Sequence, residues 1–263
     1  MKIKKLTDKQ YWNNNYKSSA KLNYLPSYDS LNQQTSLELL NIITNYSTGD
    51  NVLEIGAGDS DFLIYLASKN INKNYTGMDY STIGCENLKE RSKNFNLKID
   101  VINEDLFTEK SAHFNQFSMV YSLGVVENFD DLTNVLNNTK RFCNSDGYHF
   151  ASIPNMSGIY GLITKLIDKK TYDIHNPHDL NSFIRGHEKA NMEIVLADYY
   201  GYFSAGVLSS CQPFIENTFV FKVLYKSLNL ITKIFSFTNK YICKIPKSSY
   251  FSPYILVVSK IKK

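Results

Sequence analysis

Two glycines one residue apart, Gly56 and Gly58, end the apolar run Val52-Leu53-Glu54-Ile55 abruptly. Glycine there lets the backbone take conformations closed to other residues and lets a ligand come close to the main chain. Asp79 ends a second strand-like run, Asn74-Tyr75-Thr76-Gly77-Met78-Asp79, 23 residues beyond Gly56, and a carboxylate in that place can accept both hydroxyls of a ribose. A glycine pair alone also suits a dinucleotide enzyme or a plain turn. The dinucleotide pattern wants a third small residue where this chain has Asp61, which disfavours NAD. Chemistry that removes a proton near neutral pH calls for histidine, and the chain has five. His113 falls in a surface-like loop, His149 inside a strand-like run and His187 at a polar helix end. His175 and His178 share the polar, proline-containing loop from Tyr172 to Asp179.

The elements that must position these groups follow from periodicity. Residues 51 to about 155 alternate strand and helix, which predicts a parallel sheet covered on both faces. The spacing predicts strands near 51–55, 74–79, 99–103, 117–121 and 147–153, with helices over 60–70, 82–94 and 131–143. Phe62, Leu63, Leu66 and Ala67 give the first helix its buried stripe. Gly56, Asp79, Asp105 and Ser122 then all fall at the carboxyl ends of strands, where such sheets bind ligands. Met192 to Tyr200 reads as a sixth strand and Tyr254 to Ser259 as the last.

These segments resemble the class I S-adenosylmethionine-dependent methyltransferases. Leu53-Glu54-Ile55-Gly56-Ala57-Gly58 looks like that family's first motif, and Gly77-Met78-Asp79-Tyr80-Ser81 like its ribose-binding strand end. Glu104-Asp105-Leu106-Phe107 looks like the adenine-contacting segment, and Phe117 to Glu127 like the fourth strand and the turn beneath the sulfonium. Ser60 stands where the family often has glycine, and Asn128 where it often has histidine. The resemblance implies an α/β fold, a Rossmann-like seven-stranded sheet with helices on both faces and a C-terminal helical insertion before the last strand. It implies one domain over 1–263, with a helical leader (1–48), a cofactor-binding core (49–155) and substrate-side loops, lid helix and closing strands (156–263). S-adenosylmethionine, leaving as S-adenosylhomocysteine, would be held by Glu54, Gly56, Ala57, Gly58, Asp79, Tyr80, Asp105, Leu106 and Ser122, with Tyr11 or Trp12 folded over it. Asn155 and Glu127 would face the substrate, and His175, then His178, would serve as general base.

Composition narrows the function classes. The 29 basic and 25 acidic residues are mixed through the chain for a net charge of +4, too even for a nucleic-acid footprint. The turn after the fourth strand reads Ser122-Leu123-Gly124-Val125, without the Asn-Pro-Pro-aromatic run of enzymes that methylate nucleobase amino groups. Cys85, Cys143, Cys211 and Cys243 lie far apart, so neither a zinc site nor a disulfide framework is expected, and no metal. No signal peptide or membrane span is read, and a cytoplasmic location is expected. From Phe219 to Phe235, Val220, Leu224, Leu228, Ile231 and Phe235 share one helical face with Lys222, Lys226 and Lys233 opposite. That pattern predicts a lid helix packed on the core; a homodimer face or a membrane-surface contact is the alternative. The turn after the fourth strand, Ile153-Pro154-Asn155, the His-Asn-Pro-His loop and this late helix are similar to small methyltransferases of bacterial surface-polysaccharide (capsule or lipopolysaccharide) biosynthesis. The expected activity is O-methylation of a sugar or nucleotide-activated precursor. A quinone, another small or a phosphorylated acceptor, a non-catalytic cofactor-binding scaffold and a dehydrogenase are the competing readings.

Overall fold

Strand β1 (Asn51–Ile55) runs through the middle of the sheet, and its alternation divides the core in two. Leu53 and Ile55 point to one face and Val52 to the other, each buried. The structure, a computed structural model, describes residues 5–17, 22–26, 34–69, 73–205, 207–208 and 219–262. Strands β2 (Asn74–Asp79), β3 (Ile99–Asn103), β4 (Phe117–Leu123), β5 (Cys143–Pro154), β6 (Met192–Tyr200) and β7 (Tyr254–Ile261) complete the order β3-β2-β1-β4-β5-β7-β6. The first five are parallel, while β7 runs antiparallel to both β5 and β6. This is the Rossmann-like sheet the motifs imply, with strand ends within a few residues of their expected places.

Helices α1 (Lys9–Lys17) and α2 (Gln34–Tyr46) precede the sheet, and α3 (Asp61–Ser68) and α4 (Thr82–Asn94) connect its first strands. Leu39 and Ile43 of α2, Phe62, Leu63 and Leu66 of α3 and Leu88 of α4 pack with Val52, Tyr75, Met119 and Phe150 on one face. On the other, α5 (Leu132–Thr139) and α8 (Leu180–Lys189) bring Leu132, Val135, Leu136 and Phe183 against Leu53, Ile55, Val120 and Ile153. Between β5 and α8 lie α6 (Ile159–Ile167) and the one-turn α7 (Lys169–Asp173).

Helix α9 (Phe219–Tyr241) forms a smaller cluster with Tyr160, Phe203, Val207 and Leu208 through Tyr225, Leu228 and Phe235. It is not oriented as its periodicity suggests. Leu228 and Phe235 do turn inward, but Leu224 and Ile231 are 39% and 38% exposed, and the inward face is completed by buried Thr232, Ser236 and Asn239. Hydrogen bonds select this orientation: the Ala205 amide donates to Thr232 Oγ1 (2.9 Å) and the Ile245 amide to Asn239 Oδ1 (3.0 Å). The side chain of Val220 lies outside the described residues, as does Cys211.

Candidate active site

The glycine turn after β1 is held open from below. Gly56 has φ +75°, and a Cβ there would come within 2.4 Å of Val125 Cγ2; the turn can sit this close to the loop after β4 only without a side chain. The amides of Gly56 and Ala57 donate to the Met78 carbonyl (2.8 and 3.0 Å), tying the turn to the end of β2. Ser60, in place of the family's glycine, accepts from the Leu63 amide as N-cap of α3 and donates to Glu54 Oε2, each at 3.0 Å. Tyr121 donates to the same Glu54 oxygen at 2.6 Å. Glu54 is therefore a buried brace beneath the turn, its pKa pushed up to about 8 by burial, and it does not line the cavity above.

That cavity opens at the carboxyl ends of β1, β2 and β4 and is lined by Ile55, Gly56, Met78, Asp79, Tyr80, Leu123, Gly124 and Val125, together with Glu104, Asp105, Leu106 and Phe107. Asp79 is buried at its floor; the amides of Gly58 and Ser81 donate to its two oxygens at 2.9 and 2.7 Å. Burial raises its pKa, and those donors pull it back. Oδ2 is also approached by the Tyr16 hydroxyl, which a ligand hydroxyl can displace or share. Asp105 is bridged by Lys5 at 2.6 Å, and the Lys5 ammonium lies 5.1 and 5.2 Å from the ring centres of Tyr80 and Phe107.

The amino-terminal segment closes one side. Lys5 makes an isolated antiparallel bridge with Phe129, and the Leu6 amide donates to the Asn128 carbonyl at 2.9 Å. Trp12 and Tyr16, four residues apart on α1, stack with centroids 6.1 Å apart, and both line the cavity. Tyr16 donates to Asp79 Oδ2 (3.4 Å) and lies so close over Gly58 that a Cβ there would meet its hydroxyl at 2.1 Å. Burial, then the neighbouring Asp79 carboxylate, holds the Tyr16 hydroxyl well above its ordinary pKa.

Of the residues singled out from sequence, Trp12, Gly56, Asp79, Tyr80, Asp105 and Leu106 line the cavity, while Ala57 and Gly58 belong to the turn without facing it. Tyr11 points outward at 38% exposure, because it lies one residue off the Trp12 and Tyr16 face. Asn155 is fully buried, its amide donating to the carbonyls of Ser249 (2.8 Å) and Ser252 (2.9 Å); it fastens the end of β5 to the segment before β7. His175 faces the Thr171 carbonyl at 2.7 Å through Nδ1, and His178 stacks on Phe183; burial lowers both pKa values, and neither lines the cavity. No residue of α9 among those described lines it either, so the covering element is α1 and the segment before it. His187 is fully buried against Phe183 rather than at a polar surface.

Glu127 and Ser122 stand just behind the lining. Ser122 Oγ is buried and without a hydrogen-bond partner, and so are both carboxylate oxygens of Glu127. Burial pushes the Glu127 pKa up to about 8. A Cβ on Gly124, which lines the cavity, would lie 3.5 Å from Glu127 Oε1. The loop bearing both histidines is fastened to this residue, the Asn176 amide donating to the Glu127 carbonyl at 2.8 Å. Asn128 uses its amide to hold the carbonyls of Gly124 and Val125 (3.2 and 3.3 Å), stiffening the same turn. Sequence reasoning missed Lys5 and Tyr16; the i, i+4 aromatic pair Trp12 and Tyr16 was the signal available for the second.

Comparison with known proteins agrees with this fold. Residues 53–149 match the family model described as a methyltransferase domain. No curated protein matches the chain significantly in sequence. Among solved structures, a SAM-dependent methyltransferase from Aquifex aeolicus is similar over 97% of this chain and 99% of its own, with 12% identity and a TM-score of 0.57. Geranyl diphosphate C-methyltransferase from Streptomyces coelicolor A3(2), solved with Mg2+, geranyl diphosphate and S-adenosyl-L-homocysteine, covers 96% and 97% at 10% identity and TM-score 0.59. A structure concerned with conversion of a disulfide bond into a thioacetal group in echinomycin biosynthesis covers 97% and 92% at 11% identity and TM-score 0.59. At such identities the likeness is one of fold, and the acceptors differ from one structure to the next. The domain match over residues 53–149 and the likeness over nearly the whole chain together show the class I, S-adenosylmethionine-dependent methyltransferase fold.

Proposed function

We propose that the protein transfers the methyl group of S-adenosylmethionine to a hydroxyl of a sugar or nucleotide-activated sugar that serves as a precursor of a surface polysaccharide. The residues present suit that donor: Asp79 for the ribose hydroxyls, Asp105, Leu106 and Phe107 for the adenine, and the Gly56 turn and Leu123-Gly124 for the amino-acid and sulfonium end. Bound there, S-adenosylmethionine supplies an electrophilic methyl group. Trp12 and Tyr16 cover the Asp79 side of the cavity, and the turns after β1 and β4 fix the direction of approach, the kind of alignment that contributes ~7–11 kcal/mol to such reactions.

The observation that carries the reading is Glu127. A hydroxyl acceptor must lose a proton, and Glu127, a buried carboxylate behind Gly124 of the lining with neither oxygen paired to another residue, supports that role if Gly124 or its turn gives way to the acceptor. A pKa of about 8 is close to the operating pH, where a general base is most effective. Glu127 replaces His175 as the preferred proton acceptor because His175 is engaged with Thr171 outside the cavity. The sugar assignment rests on the resemblance of Ser122–Glu127 and the 175–178 loop to polysaccharide methyltransferases. A cytoplasmic location belongs to the same reading.

The test is incubation of pure protein with methyl-labelled S-adenosylmethionine and a small-molecule extract, followed by chromatography and mass spectrometry. Label on a nucleotide-linked sugar is the expected result; label only on a quinone or other aromatic hydroxyl would replace the acceptor class.

A further inference from the structure

Helix α9 shows solvent the wrong side of its composition. Its inward face carries Thr232, Ser236 and Asn239, all buried, whereas Phe219, Leu230, Ile234 and Tyr241 are 79%, 60%, 55% and 59% exposed. With Val223 and Phe237, these fall within an arc of roughly 60° at helical spacing. Lys222, Lys226, Lys233 and Lys240 form a second row along one border of that arc, about 40° wide. No acidic residue lies on the helix.

The even mixture of charge that the whole composition suggests breaks down over this stretch. After Glu216 the chain has nine lysines and no aspartate or glutamate, leaving 20 basic against 25 acidic residues before that point. An exposed apolar strip bordered by one sign of charge fits an interaction surface. Its partner must accept inserted aliphatic and aromatic side chains and be anionic alongside.

We propose that α9 lies on an anionic membrane surface, with Phe219, Val223, Leu230, Ile234, Phe237 and Tyr241 in the headgroup and acyl boundary and the lysine row on lipid phosphates. No helix among the described residues is long and apolar enough to cross a membrane, and α9 suits lying in the interface plane. A second copy fits poorly: a two-fold contact through the strip brings the lysine rows together with no carboxylate on either helix to receive them. Nucleic acid would leave the apolar strip without a partner. The hydrogen bonds at Thr232 and Asn239 keep the strip outward, so the surface is presented without rearrangement.

The test is flotation of the full chain with vesicles of phosphatidylcholine alone and of phosphatidylcholine containing one third phosphatidylglycerol, at low and near-physiological salt. Two variants accompany the wild type, Ile234→Ser/Phe237→Ser and Lys226→Gln/Lys233→Gln/Lys240→Gln; every altered side chain is exposed, and circular dichroism confirms the fold. The expected result is binding to the anionic vesicles, little to the neutral ones, a decrease with salt, and at least roughly tenfold weaker binding in each variant, since a lysine near an anionic surface is worth about fivefold. No flotation with anionic vesicles at low salt overturns the proposal, as does binding that neither variant weakens. A dimer seen by sedimentation, lost in Ile234→Ser/Phe237→Ser and accompanied by no vesicle binding, overturns it in favour of a second copy.

Discussion

Replacing Glu127 by glutamine removes one proton equilibrium and almost no volume. Glu127 is 2% exposed and its carboxyl has no partner on another residue, so burial, only partly offset by its own backbone amide, raises its pKa from 4.5 to about 8. Between those values the folded chain holds a proton that the unfolded chain has released. Stability from this group is therefore complete below pH 4.5 and is lost as pH rises towards 8, at about 1.4 kcal/mol per pH unit. By pH 7 the loss is about 3 kcal/mol, a large part of a typical domain's stability. Glutamine mimics the protonated acid and carries no such penalty. Glu127→Gln should match the wild type in urea unfolding at pH 4.5 and exceed it by about 3 kcal/mol at pH 7. Glu54, also raised to about 8, keeps a pH slope in both proteins. The same variant should bind S-adenosylhomocysteine normally and lose at least roughly a hundredfold in turnover. Stability curves of wild type and variant that run parallel with pH would refute the burial argument. A flattened curve with turnover intact would instead refute the proton-acceptor role.

Three further outcomes follow from the same geometry. Asp79→Ala should weaken S-adenosylhomocysteine binding about tenfold or more by calorimetry, since hydrogen bonds to a charged group are worth about 1.5–3 kcal/mol. Arg91, fully buried, bridges Asp59 at 2.6 Å and Asp61 at 2.7 Å; Arg91→Met should cost about 3–5 kcal/mol, read as a lower urea midpoint, because both carboxylates lose a buried counter-charge. His187 is buried and its pKa is lowered to about 4, so below pH 6.5 only the unfolded chain takes up its proton and stability falls by about 3 kcal/mol by pH 4. His187→Leu should flatten that acid limb.

What was legible in the sequence was local. The Gly56 turn, the Asp79 strand end and the helical stripe of α3 are each specified within a dozen residues, and they appear where periodicity puts them. Residues whose partners lie far along the chain were opaque. Lys5 meets Asp105 across a hundred residues, and Asn155 is consumed by carbonyls of Ser249 and Ser252, so its place at the end of β5 suggested a ligand contact that its hydrogen bonds preclude. His175 read as a base because a polar loop conceals which atom its ring will face. Helix α9 was misjudged because apolar periodicity identifies a stripe but not which neighbour covers it, and hydrogen bonds to Thr232 and Asn239 decided its rotation.

The seating of β7 bears on synthesis. Of the seven strands it is the last to leave the ribosome, yet it lies between β5 and β6 and pairs with both. Until residues 254–261 emerge, β6 has no neighbour and β5 presents one bare row of amides and carbonyls, the condition in which nascent sheets stick to one another. Two of the seven strands, β6 and β7, can therefore join the sheet only once residues 254–261 have emerged. A ribosome paused before β7 would hold a nascent chain with β5 and β6 both unpaired on that side and a strong claim on chaperones.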